Sequence, residues 1–255
     1  MIYYRNGKLM EGEGGLDLSQ PAFRTGYGFF ETICWNGSRI CHLDLHLKRA
    51  HASLAAFDVI EEAVEYGRSI HEVLEANDLG NSFARVNIFF PVEHGRTSPI
   101  ITAVPFEYVA DREWRLLPSK DVFLSTLMRH KTTNRMSYLN AWQEAVESGF
   151  DDALLTDFDG NVLESSFAAL LFRKGEAFFA PDTQYKLPST AQEIAGEHIL
   201  IQPAEINLAD MEKFEHVYAL NSLGGMIPVT AVGDFSFSAD HLTARRIART
   251  ILLVE

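Results

Sequence analysis

Arg129-His130-Lys131-Thr132-Thr133-Asn134-Arg135-Met136 is the stretch around which the chain is organised. Ahead of it, Val122-Phe123-Leu124-Ser125-Thr126-Leu127-Met128 is apolar and β-branched, which predicts a strand. Behind it, Ser137 offers an N-cap, apolar residues recur at helical spacing and Gly149 supplies a stop, which predicts a helix. Lys131 then stands where a buried strand delivers its side chain to the mouth of a fold, and we read it as a Schiff-base lysine. The competing reading is an ordinary solvated lysine, because Lys is almost never fully buried.

Working outward, residues 152–156 read as a strand, Asp159-Gly160 as a tight turn and 161–166 as its return. Strands are expected at 169–172 and 177–180, turning at Lys174-Gly175, then a helix capped by Pro188-Ser189-Thr190 and running to about Leu200. Strands at 216–222 and 227–233 and a helix over 240–253 close the chain. In the first half, Asn6-Gly7 and Asn36-Gly37 mark hairpin turns. An amphipathic helix covers 44–57, with His46, Arg49 and Ser53 beside its apolar stripe. A second helix is expected at 61–75, and strands at 84–90 and 100–104. The polar segment 108–120 reads as the linker. The expectation is an α+β (mixed α/β) fold of two domains, 1–115 and 116–255.

A net charge of −13 argues against nucleic acid as a partner, since phosphate backbones need a basic surface. Two cysteines allow no disulfide framework and no zinc-type spacing, so no metal is expected and a reducing, cytoplasmic setting fits. No apolar run approaches the ~20 residues that span a bilayer, so no membrane partner is expected.

A lysine becomes nucleophilic toward an aldehyde when burial or a cationic neighbour lowers its pKa. Pyridoxal 5′-phosphate would further need a carboxylate for its ring nitrogen, a positive site for its phosphate and apolar faces for its ring. Glu164 lies in an apolar strand, where a carboxylate is costly unless paired; a solvent-facing position is the alternative. Arg49 has the fork geometry for a phosphate, or is a solvated helix residue. Ser222 and the Ser189-Thr190 helix start could supply donors to a dianion, though N-capping alone would explain Ser189.

In order along the chain these residues match one family. Gly26-Tyr27-Gly28-Phe29-Phe30-Glu31-Thr32 is similar to the Gly-Asp-Gly-x-Phe-Glu-Thr of the class IV (fold type IV) pyridoxal-phosphate enzymes. These comprise branched-chain aminotransferases, D-amino acid aminotransferases and aminodeoxychorismate lyases. His46-Leu47-Lys48-Arg49 resembles their His-Leu-x-Arg, and Asp159-Gly160-Asn161-Val162-Leu163-Glu164-Ser165 their Gly-x-Val-x-Glu. The resemblance implies Lys131 as the aldimine lysine, Arg49 on the cofactor phosphate and Glu164 on the pyridine nitrogen. It also implies cofactor contacts from Phe167, Leu187, Thr190, Ala191, Asn221 and Ser222, and substrate-side candidates Tyr27, Thr32, Arg85, Arg96 and Asn134. A smaller N-terminal α/β sandwich, a larger C-terminal domain with a barrel-like sheet and flanking helices, a site at the domain junction and a homodimer follow from the same resemblance.

Lys131-Thr132-Thr133-Asn134-Arg135-Met136 looks like the Lys-x-x-Asn-Arg-Leu of the aminodeoxychorismate lyase branch, and 228–238 like its C-terminal Pro-Val-x-x-x-Gly-Asp-x-Ser-Phe-Ser. The expected activity is thus conversion of 4-amino-4-deoxychorismate to 4-aminobenzoate and pyruvate. The alternatives are an aminotransferase of branched-chain or D-amino acids, with Arg24, Arg85, Arg96 or Arg135 as the carboxylate clamp, and a non-catalytic binding relative. The chain departs from the family pattern at Tyr27, Ala169 and Ser189, which bears on substrate choice more than on cofactor binding.

Overall fold

The computed structural model describes residues 1–12, 18–122 and 124–254. The fold is α+β, and the chain forms two compact units. One comprises Met1–Tyr108 and His130–Asn134, the other Val109–Arg129 and Arg135–Glu255.

The first unit is a sheet covered by helices. Asn6 and Gly7 both take positive φ, 52° and 78°, the backbone that a two-residue hairpin requires, and they join Ile2–Arg5 to Lys8–Glu11. The central strand is Phe83–Glu93, antiparallel to Ile100–Pro105 on one edge and to Gly28–Asn36 on the other. Residues Ile33, Trp35, Val86, Ile88 and Ile101 share a core with Ala50 and Leu54 of the Leu43–Ala56 helix and Ile70, Val73 and Leu74 of the Tyr66–Ala76 helix. Enclosing side chains of this size contributes about 1.5–3 kcal/mol each. This is the expected α/β sandwich. The second helix starts later than its periodicity suggests, because Ile60–Glu61 pairs instead with Arg96–Thr97.

In the second unit the strand order among the described residues runs Val162–Ser165, Asp152–Thr156, Trp114–Pro118, Gly225–Val232, His216–Asn221, Ala169–Lys174, Ala177–Pro181, Ile201–Ala204. The segment expected as linker therefore carries a strand, with Trp114 and Leu116 in the core. The sheet curls until its ends meet. Val162 N–H donates to the Ile206 carbonyl at 2.7 Å, and Asn161 bridges to Asn207. This is the barrel-like sheet that the family resemblance implied. The Met136–Glu147 helix lays Tyr138, Ala141 and Ala145 on Ala153, Leu155 and Leu163.

Two local expectations are corrected. Residues 122–128 are not a strand: Thr126–Arg129 is a short 3₁₀ turn, and Phe123 lies outside the described residues. The Ser125 carbonyl and hydroxyl accept from the N–H groups of Met128 and Leu127, a local turn that competes with sheet pairing. Val122, Leu124 and Leu127 are correspondingly exposed. Ser137 is not an N-cap, since the helix begins at Met136.

Gly225 opens its strand at φ +71°, where an added Cβ would lie 2.6 Å from the Ala248 Cβ of the His241–Leu252 helix. Gly225→Ala combines left-handed strain with overpacking, so a loss of roughly 2–5 kcal/mol is expected in denaturant unfolding.

Candidate active site

Lys131 is delivered by the strand it borders. Its carbonyl accepts from Phe30 N–H at 2.9 Å, Thr133 N–H donates to the Gly28 carbonyl at 2.9 Å, and Thr132 bridges to Phe29. A Cβ on Gly28 would lie 2.9 Å from the Phe90 carbonyl oxygen, and one on Gly26 3.2 Å from Asn134 Cα. The two glycines of the loop are thus required by close backbone approach. Lys131 itself is half-buried, with its Nζ 4.7 Å from the centre of the Phe30 ring, which stacks on Phe89. Beside it, His130 Nδ1 lies 3.0 Å from Ser53 Oγ, and its ring packs edge-on against Phe57.

Next along the strand from Phe30, Glu31 is fully buried and gathers His46 and Arg49. Arg49 donates from Nε to Oε1 at 2.9 Å and from Nη2 to Oε2 at 2.6 Å, a two-point fork. Burial alone would raise the Glu31 pKa, but the hydrogen bond from His46 and the charge and hydrogen bonds of Arg49 outweigh it and hold the carboxyl at about 2. Glu31 is then acceptor-only, so His46 donates from Nδ1 at 2.7 Å. Burial pulls the His46 pKa down, leaving the ring neutral. Arg49 is thus an inward-held arginine, as its helical spacing suggested, and not a solvated one.

In the second unit Glu164 is buried, 5 % exposed. Tyr138 Oη donates to its Oε1 at 3.0 Å and Leu187 N–H to its Oε2 at 3.1 Å. The Arg135 guanidinium lies 3.3 Å over the Tyr138 ring and donates from Nη2 to the Ser166 carbonyl at 3.2 Å. One strand away, Asp152 accepts from Ser165 Oγ at 2.7 Å and from the Ala153 and Phe167 N–H groups, tying down the turn after Glu164. Burial pushes the Asp152 carboxyl up to about 6 despite those donors.

The remaining sequence-derived residues fall as follows. Thr190 and Ala191 are buried at the start of the Thr190–Gly196 helix, whose cap is Ser189, with Oγ accepting from Gln192 N–H at 3.2 Å. That helix stops short of the expected end near Leu200. Asn221 Oδ1 accepts from Leu223 and Gly224 N–H, closing its own loop beside the half-buried Ser222. Phe167 is exposed and packs edge-on against Trp142. Thr32 donates to Asn87 Oδ1 at 3.1 Å. Tyr27, Arg85, Arg96, Asn134 and Arg24 are exposed, whereas Arg135 is half-buried.

Sequence reasoning missed Glu31, Tyr138 and Asp152 as site residues. The signal that marked Glu164, a carboxylate inside an apolar strand, is equally present in Phe29-Phe30-Glu31-Thr32-Ile33. Tyr138 carried none, because nothing local separates a core tyrosine from one whose hydroxyl meets a carboxylate.

The family pattern described as amino-transferase class IV matches residues 28–232, well over half of the chain. The chain belongs to the class IV aminotransferase family. Membership brings the cofactor implied by the sequence resemblance, pyridoxal 5′-phosphate. An aminodeoxychorismate lyase of Vibrio harveyi is 22 % identical over 254 residues, covering 89 % of this chain and 93 % of that protein. Among solved structures, a branched-chain aminotransferase from Thermoproteus uzoniensis with norvaline superposes with a TM-score of 0.87. It is 20 % identical and covers 98 % of this chain and 93 % of that one. The branched-chain amino acid aminotransferase of Escherichia coli superposes with a TM-score of 0.83 at 19 % identity, covering 97 % of this chain and 92 % of that one. The donor set in this chain fits the family cofactor: an amine over an aromatic ring, a forked guanidinium, and a buried carboxylate held by two donors.

Proposed function

We propose that the chain is a pyridoxal-phosphate-dependent lyase that converts 4-amino-4-deoxychorismate to 4-aminobenzoate and pyruvate, with the two sets of side chains serving one cofactor. The observation that carries this reading is the near full-length similarity to the Vibrio harveyi lyase, with Asn134-Arg135 following Lys131 in the lyase-like pattern. The bound cofactor supplies an aldehyde for the substrate amine and a ring that withdraws electrons from the bond being broken. Arg49, oriented by its fork on Glu31, holds the phosphate. Leu187 packs on the ring, and Thr190, Ala191, Asn221 and Ser222 line the phosphate side. Glu164 keeps a proton at the ring nitrogen. Lys131 Nζ, once displaced by the substrate amine, takes the ring-carbon proton of the substrate and returns it as the enolpyruvyl group leaves as pyruvate. A homodimer in a cytoplasmic setting belongs to the same reading.

The aminotransferase reading is supported by the branched-chain aminotransferases among the structural neighbours. One assay separates the two. Protein loaded with pyridoxal 5′-phosphate is given 4-amino-4-deoxychorismate, and 4-aminobenzoate and pyruvate are measured. It is also given branched-chain or D-amino acids with 2-oxoglutarate, and glutamate is measured. Equimolar 4-aminobenzoate and pyruvate without amino exchange are expected; exchange without 4-aminobenzoate would reverse the assignment.

A further inference from the structure

We infer that Arg135 and Tyr138 are positioning residues that act through Glu164 on the cofactor's ring nitrogen, and that Arg135 is not the clamp for a substrate carboxylate. The inference rests on the proposal that Glu164 faces that nitrogen.

Three contacts make a chain. Arg135 precedes the Met136–Glu147 helix, and its guanidinium lies 3.3 Å from the Tyr138 ring centre, closer than the usual reach of a cation over an aromatic face. The same guanidinium donates to the Ser166 carbonyl, in the turn that follows the Glu164 strand. Tyr138, 4 % exposed, donates its hydroxyl to Glu164 Oε1. The arginine thereby pins both the ring and the strand end, and the phenol is left one orientation, toward the carboxylate. A guanidinium engaged in this way is poorly placed to receive a substrate carboxylate.

The electrostatics run in the same direction. Burial, and then the Glu164 charge, push Tyr138 well above an ordinary phenol, so it stays protonated and donates. A cation over the ring draws electron density from the hydroxyl and strengthens that donation. Leu187 N–H holds the second carboxylate oxygen, and the half-buried Lys186 adds a positive charge that interacts with Glu164. Each of these groups favours the ionised carboxylate. A carboxylate held ionised leaves the shared proton on the ring nitrogen, where it makes the ring a stronger electron sink. Removing the Tyr138 hydroxyl raises the proton affinity of Glu164 and draws that proton back.

The test is the ¹⁵N chemical shift of pyridoxal 5′-phosphate labelled at the ring nitrogen and loaded into wild type, Tyr138→Phe, Arg135→Gln, the double variant and Glu164→Gln. Wild type defines the protonated position and Glu164→Gln the opposite limit. Tyr138→Phe and Arg135→Gln are expected to move the signal toward the Glu164→Gln position, with the double variant no further along than Tyr138→Phe. Affinity for 4-aminobenzoate, used as the carboxylate probe, is expected to stay within about twofold in Arg135→Gln, since no carboxylate contact is lost. A signal that stays at the wild-type position in Tyr138→Phe, or a tenfold or greater loss of 4-aminobenzoate affinity in Arg135→Gln, overturns the inference. If wild type and Glu164→Gln give the same shift, it is the placement of Glu164 at the nitrogen that falls. Tyr138→Phe removes one oxygen only, so the experiment survives even if Arg135→Gln fails to fold.

Discussion

Replacing Lys131 with alanine lowers kcat by at least about 10³-fold, because one side chain supplies both covalent attachment and proton transfer, and proton transfer alone is worth about 10²–10⁴-fold. The fold should be nearly untouched. What ties this segment down is main chain, the Lys131 carbonyl accepting from Phe30 N–H and Thr133 N–H donating to Gly28, and alanine keeps both bonds. The half-buried side chain lies over Phe30, so the lost contact is a stem and a cation against one ring. Wild type loaded with pyridoxal 5′-phosphate is expected to show a visible absorbance band that borohydride bleaches, and Lys131→Ala to lack it. A Lys131→Ala protein with full activity would return the chain to the non-catalytic reading. Unfolding midpoints measured alongside separate lost chemistry from lost structure.

Glu164→Gln is the second large effect. The amide cannot hold a proton at the ring nitrogen by charge, and the loss in kcat is expected to be about 10²-fold or more, the size typical of one preorganised electrostatic partner. This variant also perturbs the fold, for a reason visible in the geometry. Tyr138 Oη and Leu187 N–H both point donors at the carboxylate. A glutamine has one acceptor and one donor end, so one of those contacts becomes donor against donor in a buried place, at a cost of about 1–3 kcal/mol. Thermal unfolding should therefore shift downward with Glu164→Gln and not with Lys131→Ala. A Glu164→Gln enzyme with wild-type kcat would remove the carboxylate from the chemistry.

Tyr138→Phe offers a contrast in the same pocket. It keeps the packing against Leu155 and Leu163 and deletes a single donor, so its effect on turnover should lie between wild type and Glu164→Gln.

What the sequence determined by itself was whatever short-range rules govern. Asn6-Gly7 requires positive φ at both positions and makes its hairpin, and the apolar stripe of 44–57 makes a helix with His46 and Arg49 on its inner edge. The carboxylate of Glu164, costly in an apolar strand, marks a buried, partner-seeking group by its sequence neighbours alone. Tertiary structure decided the rest. Residues 122–128 have strand-like composition, yet no sheet edge receives them, and a turn closed by Ser125 takes their backbone bonds instead. Lys131 is held by a strand far earlier in the chain, through glycines whose need becomes visible only when the two backbones meet. Glu31 with Arg49, and Tyr138 with Glu164, are pairs set by the fold: a sequence shows that a buried charge must be matched, and packing selects the group that matches it.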